Sequence, residues 1–267
     1  MPLLHQLYFQ GRWERDYLLY LPVNYTREQP IPLLLVLHGG SGTAHSMIKL
    51  TQGIFNTLAD EHNFMVVYPN GFGRQWNDGR FQVRGGRNID DVGFIRELID
   101  SLASAYAVDT QHVFVTGMSN GGHMAYRLAC DLSDKIAGIA SVAALMPDNL
   151  EQACTPHRPM PVLIIAGTED TLVPYRGGTV GGQLLRRGTV ASADVTLRFW
   201  AKINGCTGEP EVTDLEDRDP RDGTHIRETL YSSCDAPTVM YTIVGGGHTW
   251  PGGLQYLDER IIGKTSR

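Results

Sequence analysis

Residues 117–121 read Gly-Met-Ser-Asn-Gly, and no other G-x-S-x-G pentapeptide occurs in the chain. A serine hydroxyl is a weak nucleophile, and a sharp turn from a strand into a helix can hold it within reach of a base and of hydrogen-bond donors. An apolar, strand-like run at residues 112–116 precedes the pentapeptide, and a helical pattern at residues 120–130 follows it. A chance match in a chain with 30 glycines would lack these flanks. We therefore predict that Ser119 attacks a carbonyl carbon.

Such a serine needs an acid and then a histidine later in the chain. The apolar run at residues 162–166 leads into Gly-Thr-Glu-Asp, so Glu169 and Asp170 compete for the role of the acid. The acid has to reach inward to an imidazole, which favours Asp170 and leaves Glu169 at the surface. Among nine histidines, His248 combines this chain order with a position after a strand and three glycines. We predict that His248 is the base.

Attack on a carbonyl creates an oxyanion that needs two N–H donors about 3 Å away. The backbone N–H of Asn120, directly after the serine, is one candidate. The other comes from the glycine-rich loop at residues 38–42, where the N–H of Gly40 is favoured over that of Ser41. This loop lacks the Gly-Lys-Ser/Thr ending and the G-x-G-x-x-G spacing of phosphate-binding loops, so no nucleotide cofactor is expected.

Two tryptophans and a serine are candidates for substrate contact. Trp76 lies in a long polar loop at residues 69–88, where it either stacks on a flat ring of the substrate or packs on the protein's own surface. Trp250 is expected to stiffen the loop that carries the predicted base and to wall the pocket. Ser41 lies in the glycine-rich loop that supplies a predicted oxyanion donor.

The elements that must position these residues alternate between short apolar runs and helical patterns. The predicted strands are residues 33–37, 64–68, 112–116, 138–145, 162–166, 226–232 and 238–244. The predicted helices are residues 44–62, 90–106, 120–130 and a segment from the N-cap Ser192 to about Asn204. This alternation is typical of an α/β fold with a mostly parallel sheet covered by helices on both faces. Without repeats or a linker, we predict one domain over residues 1–267.

The composition narrows the classes of partner. The 267 residues are 42% hydrophobic and 19% charged, which is ordinary for a packed domain. The chain has 23 Lys and Arg against 29 Asp and Glu and no clustered basic face, so neither nucleic-acid binding nor docking on an anionic membrane is expected. No apolar run approaches the roughly 20 residues that span a bilayer. The first residues do not have the pattern of a signal peptide, which leaves a cytoplasmic protein, or a sequence that starts after an export signal or inside a longer chain.

Four cysteines allow three pairings, and none has the C-x-x-C spacing of a zinc or redox site, so no metal is expected. They are either four buried thiols or two disulfides between sequence neighbours. The second interpretation pairs Cys130 with Cys154 and Cys206 with Cys234. It is favoured, and it indicates a secreted or extracytoplasmic protein.

Several short segments together resemble the polyhydroxybutyrate-depolymerase-like esterases, a group that includes feruloyl and acetylxylan esterases. They occur in the family's order from about residue 11 to residue 253, and Gly-His-Thr-Trp-Pro-Gly is the most specific of them. The segments are residues 37–40, 68–71, 76–80, 90–94, 117–122, 167–170 and 247–252. The resemblance implies an α/β-hydrolase fold, a triad of Ser119, Asp170 and His248, no metal and commonly a secreted protein. It also supports the pairing of Cys206 with Cys234.

The residues and the resemblance together predict a serine carboxylesterase. Hydroxycinnamoyl esters of plant polysaccharide, such as feruloyl esters, are the favoured substrates, because Trp76 and Trp250 would suit a planar acyl group. Polyhydroxyalkanoate chains, acetylated xylan and acyl transfer to a sugar hydroxyl are the alternatives. A non-catalytic carbohydrate-binding protein is disfavoured, because it would have no chemical reason to keep all three members of a triad.

Overall fold

The computed structural model of the chain describes residues 3–9, 13–80, 89–182 and 186–266. The strands are β1 (Leu3–Phe9), β2 (Trp13–Tyr20), β3 (Ile31–Leu37), β4 (Met65–Pro69), β5 (Val108–Met118), β6 (Gly138–Val142), β7 (Val162–Gly167), β8 (Gly178–Thr179), β9 (Thr189–Val190), β10 (Glu211–Asp214), β11 (His225–Tyr231) and β12 (Thr238–Val244). The helices are α1 (Ala44–Leu50), α2 (Ile54–His62), α3 (Asp91–Ala105), α4 (Asn120–Asp131), α5 (Asp148–Glu151), α6 (Ala193–Ile203) and α7 (Glu259–Ile262), with a 3-10 turn at Phe72–Arg74.

Ten of these strands form one sheet in the order β1-β2-β4-β3-β5-β6-β7-β12-β11-β10, and β8 and β9 form a separate ribbon. The strands from β4 to β12 in this order are parallel, and antiparallel strands extend both edges. The largely parallel sheet with its helices is the α/β-hydrolase architecture that the sequence predicted. Because β3 neighbours β5 and β7 neighbours β12, the loops that leave these four strands emerge at the same edge of the sheet.

Buried side chains pack in two groups, because successive residues of a strand point to opposite sides of the sheet. On β3, Leu35 belongs to the group that contains Phe94 and Leu98 of α3. Val36, its neighbour on the same strand, belongs to the group that contains Met47 of α1. The core that supports the loops therefore has apolar packing against both faces of its central strands.

The single helix predicted at residues 44–62 is wrong, since the structure has two helices there. Gln52 and Gly53 have φ angles of 54° and 71°, in the left-handed region that interrupts a helix. The side-chain hydroxyl of Thr51 donates to the carbonyl of Met47 at 3.0 Å and so helps to end α1. The apolar periodicity continues across this break, which explains why it suggested one helix.

The N-terminal hairpin of β1 and β2 is tied to the body of the protein by a buried ion pair. The guanidinium of Arg15 donates to Asp91 at 2.8 Å and to the backbone carbonyl of Asn70 at 3.0 Å. The second carboxylate oxygen of Asp91 accepts the backbone N–H of Asn77 at 2.7 Å. Strand β2, helix α3 and the loop after β4 therefore meet at one buried carboxylate.

Two disulfides join the pairs of cysteines that the sequence analysis favoured. Cys130 at the end of α4 is bonded to Cys154, and Cys206 after α6 is bonded to Cys234 before β12. No helix within the described ranges has the length and apolar content that crossing a bilayer requires. The described residues also contain no group of three or more His, Cys, Asp or Glu side chains arranged to hold a metal ion.

Candidate active site

Ser119 lies at the turn between β5 and α4 with a φ of 55° and a ψ of −119°. A side chain at Gly117 would place its Cβ 2.6 Å from backbone atoms of Gly121, and one at Gly121 would come within 2.5 Å of the carbonyl oxygen of Leu37. Both distances are too short for a real Cβ atom, so only glycine fits at these positions. The two glycines let β3, the turn and α4 approach closely, and the strained backbone holds Ser119 above the sheet edge.

The glycine-rich loop after β3 lies beside this serine. A Cβ at Gly39 would stand 3.6 Å from the Cβ of Ser119. Within the described residues, no hydrogen-bond acceptor is bound to the backbone N–H of Gly40 or to that of Asn120. The N–H of Ser41 donates to the carbonyl of Arg74 at 2.8 Å instead, so it is not available to an oxyanion. Among the predicted oxyanion donors, Gly40 and Asn120 remain.

His248 and Asp170 form a hydrogen bond of 2.8 Å between the imidazole Nδ1 and a carboxylate oxygen. Their side chains are 3% and 2% exposed, so the pair is shielded from water. The other carboxylate oxygen of Asp170 accepts the backbone N–H groups of Leu172 and Val173 at 2.8 and 2.7 Å. A carboxylate held in this way accepts the Nδ1–H of the ring and leaves Nε2 as the basic nitrogen. Glu169, the competing acid, is exposed.

The backbone of His248 is held by the last described residues of the chain. The phenol of Tyr256 donates to the carbonyl of His248 at 3.0 Å, and the N–H of His248 donates to the carbonyl of Ile262. A Cβ at Gly247 would overlap that same carbonyl, so the glycine is required for this close approach. The sequence analysis did not find Tyr256 or Ile262, because no motif links a C-terminal segment to the loop it covers.

Trp76 does not contact the cleft, and the prediction that it stacks on a substrate ring is wrong. Its side chain is only 1% exposed, and its indole N–H donates to the carbonyl of His38 at 2.9 Å. The ring lies 5.1 Å from the imidazole of His38, centroid to centroid. The other interpretation of Trp76, packing on the protein itself, is what the structure has.

His38 is a buried, neutral link between two loops. Its Nε2 accepts the backbone N–H of Gly71 at 2.9 Å, so its Nδ1 carries the hydrogen that it shares with the carbonyl of Gly39 at 2.7 Å. Burial lowers the pKa of His38 to about 4, with smaller contributions from Arg74 and Arg15 that act in the same direction. The imidazole therefore stays uncharged at neutral pH and keeps its acceptor nitrogen.

Trp250 was predicted to wall the pocket, but its side chain lies elsewhere. It packs edge-on against Phe55, with ring centroids 5.8 Å apart, and joins the buried group on the α1 side of the sheet. It is not among the residues that line the cleft. The part of the prediction that gave Trp250 a place in the pocket wall is therefore wrong, and the walls come from other residues.

The side chain of Asn120 fixes the loop after β4 to the turn that carries the serine. Its carbonyl oxygen accepts the N–H of Trp76 at 2.7 Å, and its amide donates to Asp78 at 2.6 Å. Asp78 in turn accepts two hydrogen bonds from the guanidinium of Arg80, at 2.6 and 3.1 Å. A polar residue next to Ser119 thus organises a buried network that sequence reasoning did not predict.

Ser119 and His248 line one cleft of about 380 Å³, a size suited to a small organic ligand. Ser41, a candidate for substrate contact, lies on its wall together with Gly40 and Asn120. The remaining lining residues are His38, Gly39, Gly42, Ser46, Met47, Leu50, Gln75, Arg80, Met118, Leu172, Val180, Arg187, Tyr256 and Leu257. The lining thus combines apolar side chains such as Met47, Leu50 and Leu172 with polar ones such as Gln75 and Arg187.

His123 is a second buried histidine close to this cleft. Neither ring nitrogen has a hydrogen-bond partner among the described residues, and its backbone N–H donates to the carbonyl of Ser119 at 2.9 Å. Burial lowers its pKa well below the usual value, and the positive charge of Arg80 lowers it further. The imidazole is therefore neutral.

Comparison with known proteins places this geometry in a family. Residues 11–205 match the esterase family described as "Putative esterase". The "Putative esterase NocK" of Nocardia uniformis subsp. tsuyamanensis is 32% identical over 249 residues, which cover 88% of this chain and 70% of that protein. Feruloyl esterase B of Piromyces equi is 31% identical over 245 residues, which cover 88% of this chain but only 42% of that protein.

The structural comparison agrees on the fold. The acetyl xylan esterase from Aspergillus awamori superposes with a TM-score of 0.61, covering 92% of this chain and 94% of that one, at 18% sequence identity. At this level of identity the likeness concerns the fold alone. Together with the family match over residues 11–205, it leads to one conclusion. The chain belongs to the esterase family of α/β-hydrolases and is a carboxylic ester hydrolase.

Proposed function

We propose that Ser119, His248 and Asp170 form the catalytic triad of this esterase. The observation that carries the proposal is the buried hydrogen bond of 2.8 Å between His248 and Asp170, at a cleft whose wall also contains Ser119. The left-handed backbone at Ser119 supports it, because this strained turn is the conformation that presents a nucleophilic serine.

In the proposed reaction, the Oγ of Ser119 attacks the ester carbonyl while Nε2 of His248 takes the hydroxyl proton. The tetrahedral oxyanion accepts hydrogen bonds from the backbone N–H groups of Gly40 and Asn120. Collapse of this intermediate breaks the bond to the alcohol oxygen, which receives the proton from His248 and leaves an acyl-enzyme. Water then repeats the sequence and releases the acid, while Asp170 stabilises the imidazolium at each step.

For the substrate, we propose esters of hydroxycinnamic acids such as the feruloyl esters of plant polysaccharide. The relative from Piromyces equi is a feruloyl esterase by name, and the apolar cleft of about 380 Å³ has the volume for an aromatic acyl group. With both tryptophans outside the cleft, the planar group would lie against aliphatic residues such as Met47, Leu50 and Leu172. Acetylxylan is the alternative, since another relative, from Neocallimastix patriciarum, is a bifunctional acetylxylan esterase and xylanase by name.

The two disulfides support a further part of the proposal, that the protein works outside the reducing cytoplasm. We also propose that residues 1–267 form a single domain, because one sheet incorporates strands from both ends of the described chain.

The test measures hydrolysis of methyl ferulate, 4-nitrophenyl acetate and a hydroxybutyrate oligomer by the wild type and three variants. Ser119→Ala is expected to abolish turnover of every ester. Asp170→Asn should lower kcat by about 10³- to 10⁴-fold, because the imidazole loses the charge that stabilises its protonated form. The neighbouring Glu169→Gln is the matched control and should retain activity within about twofold, as surface substitutions usually do.

Ser104→Ala, on the exposed surface of α3, controls for the serine substitution itself. Equal turnover by the wild type and Ser119→Ala would refute the triad. A larger loss of activity for Glu169→Gln than for Asp170→Asn would show that Asp170 is the wrong choice for the acid. The ester with the highest kcat/KM identifies the acyl preference, and product analysis with an added sugar acceptor separates hydrolysis from acyl transfer.

A further inference from the structure

Among the residues that the structure describes, the cleft that contains Ser119 is lined by two arginines, Arg80 and Arg187, and by no aspartate or glutamate. The positive charge of these lining residues contrasts with the formal net charge of the whole chain, which is −6. Asp170 and Asp78 lie behind the walls, where the first is bound to His248 and the second to Arg80. In the described part of the cleft wall, the charged side chains of arginine therefore outnumber those of the acids, which are absent from it.

Backbone packing brings the two arginines together although they are more than 100 positions apart. A Cβ at Gly188 would lie 2.8 Å from the Cβ of Arg80 and 3.0 Å from its carbonyl oxygen. The φ of Gly188 is 81°, which also requires glycine. Arg187 precedes this glycine, and its backbone N–H donates to the carbonyl of Val180 at 3.0 Å, which anchors it next to the β8–β9 ribbon.

Arg80 is held in place by the network that also holds the nucleophile's turn. Two of its N–H groups are bound to Asp78, which accepts the side-chain amide of Asn120 as well. Its side chain is only 3% exposed. Such a guanidinium cannot swing away from the cleft without breaking a buried ion pair, so it forms a fixed part of the wall.

Arg187 differs from Arg80 because it brings a positive charge that is not neutralised. Its side chain forms no ion pair with any acidic group in the part of the chain that the structure describes, and the residue is exposed. The lining of the cleft also includes the aliphatic side chains of Met47, Leu50 and Leu257. The cleft thus combines aliphatic surface with one free cation beside one fixed cation.

From this arrangement we infer that the cleft binds esters that carry a second, free carboxylate, and that Arg187 is the residue that recognises it. The aliphatic side chains would contact the carbon chain, and the guanidinium of Arg187 would form a charge-assisted hydrogen bond with the carboxylate, beside the fixed guanidinium of Arg80. The inference rests on the proposed esterase reaction at Ser119 and adds the class of substrate.

The experiment compares two pairs of esters that differ only in a free or methylated carboxylate. In the first pair, 4-nitrophenyl hydrogen adipate and 4-nitrophenyl methyl adipate, the carboxylate is on the acyl side. In the second pair, 4-butyryloxybenzoate and its methyl ester, it is on the leaving-group side. For each pair the readout is the ratio of kcat/KM for the acid to that for the methyl ester.

In at least one pair, Arg187→Gln is expected to lower this ratio by about 10-fold, the lower end of the range for a hydrogen bond to a charged group, because Arg187 is exposed to solvent. Arg187→Glu should lower it further, and added salt should lower the ratio for the wild type because the site is open to solvent. Arg198→Gln is the control, since Arg198 is an exposed arginine on α6 that is paired with Asp194. This substitution should leave the ratio of kcat/KM unchanged for both pairs of esters.

An unchanged ratio in both pairs for Arg187→Gln would overturn the inference, while Ser119-dependent hydrolysis of the methyl esters would keep the proposed reaction intact. If no ester is hydrolysed, the proposed reaction fails, and the binding of monomethyl adipate measured by calorimetry decides the inference alone. Weaker binding to Arg187→Gln than to the wild type would support the site, and equal binding would refute it.

Discussion

His38 illustrates how a single buried side chain sets a property of the whole cleft. It accepts a hydrogen bond from Gly71 and donates one to Gly39, so that the predicted oxyanion loop and the loop after β4 are joined through one ring. Both bonds require the neutral imidazole with the hydrogen on Nδ1. A proton on Nε2 would remove the acceptor and place two N–H groups against each other.

We expect this ring to make stability depend on pH. The unfolded chain binds a proton at His38 below a pKa of about 6.5, whereas the folded protein binds it only below about 4. Between these values the unfolded state holds more protons, so stability falls as the pH falls from about 6.5 towards 4. The full difference corresponds to about 3 kcal/mol, at 1.36 kcal/mol for each pKa unit.

The measurement is the free energy of unfolding by urea, for the wild type and His38→Gln, from pH 7.5 to pH 4.5. The variant should be less stable at pH 7.5 and should lose less stability on acidification. His62→Gln is the control, because His62 is exposed on α2. Parallel pH curves for the wild type and His38→Gln would contradict the assignment. His123 is buried and neutral as well, so the variant keeps part of the slope.

At this scale the sequence was informative where chain order and local motif coincide. Ser119 in its pentapeptide, Asp170 after a strand and His248 after three glycines each follow a strand end, and the fold brings such ends together. The tryptophans could not be placed in this way, because their burial depends on partners distant in sequence. His38 lies 38 positions before Trp76, and Phe55 lies almost 200 positions before Trp250.

Among the elements, the C-terminal segment around α7 has a role that its length would not suggest. Residues 254–266 lie over the loop of His248, and Tyr256 and Ile262 hold that histidine's carbonyl and N–H groups. Tyr256 also lines the cleft, and burial raises the pKa of its phenol, followed by a smaller effect of Asp170. The phenol is therefore protonated and can serve as a donor throughout the working pH range.

We expect Tyr256→Phe to lower kcat about fivefold, because it removes a hydrogen bond worth about 1 kcal/mol from the loop that carries the proposed base. KM for a small acetyl ester should change less than kcat, since the ring itself remains in the cleft wall. Steady-state kinetics with 4-nitrophenyl acetate test this. Tyr231→Phe, on β11, is the control for loss of a phenol elsewhere. A rise in KM with an unchanged kcat would show that Tyr256 contacts the substrate and does not position His248.

The elements were predicted well wherever apolar periodicity and a capping residue agreed. Helix α6 begins after its N-cap Ser192, whose hydroxyl accepts the N–H of Val195, and the predicted strand over residues 238–244 has the observed bounds. The sequence analysis did not predict the break between α1 and α2, because a left-handed backbone at Gln52 does not change the hydrophobic pattern. The β8–β9 ribbon was not predicted either, because strands of two residues are too short to show an alternating hydrophobic pattern.

For the whole molecule, the two disulfides cross-link segments outside the cleft. Cys206 and Cys234 are 28 positions apart, and Cys130 and Cys154 are 24 positions apart. In the chain-entropy model, each disulfide that closes a loop of this length lowers the conformational entropy of the unfolded chain. This raises the free energy of unfolding by about 3 to 4 kcal/mol for each bond. None of the four cysteines lines the cleft.

Replacing Cys206 and Cys234 together by alanine should therefore lower the free energy of unfolding by about 3 kcal/mol and leave kcat/KM of the folded protein unchanged. Urea unfolding of the oxidised wild type and of the double variant measures the first quantity, and ester hydrolysis well below the transition measures the second. The same pair of substitutions at Cys130 and Cys154 provides a comparison of similar loop length. A stability loss below about 1 kcal/mol for both variants would contradict the expectation.

The buried pair of Arg15 and Asp91 limits how far the chain can be shortened from its first residue. Within the described residues, β1 is an edge strand that pairs with β2, whereas Arg15 on β2 reaches the buried carboxylate of Asp91. Removal of Arg15 leaves the carboxylate of Asp91 without its cation, and a broken buried ion pair costs about 3 to 5 kcal/mol. Asp91 also holds Asn77, next to the loop that supports the serine's turn. A shortened protein that begins after β2 should therefore lose the shape of the cleft, although none of the described residues that it lacks lines that cleft.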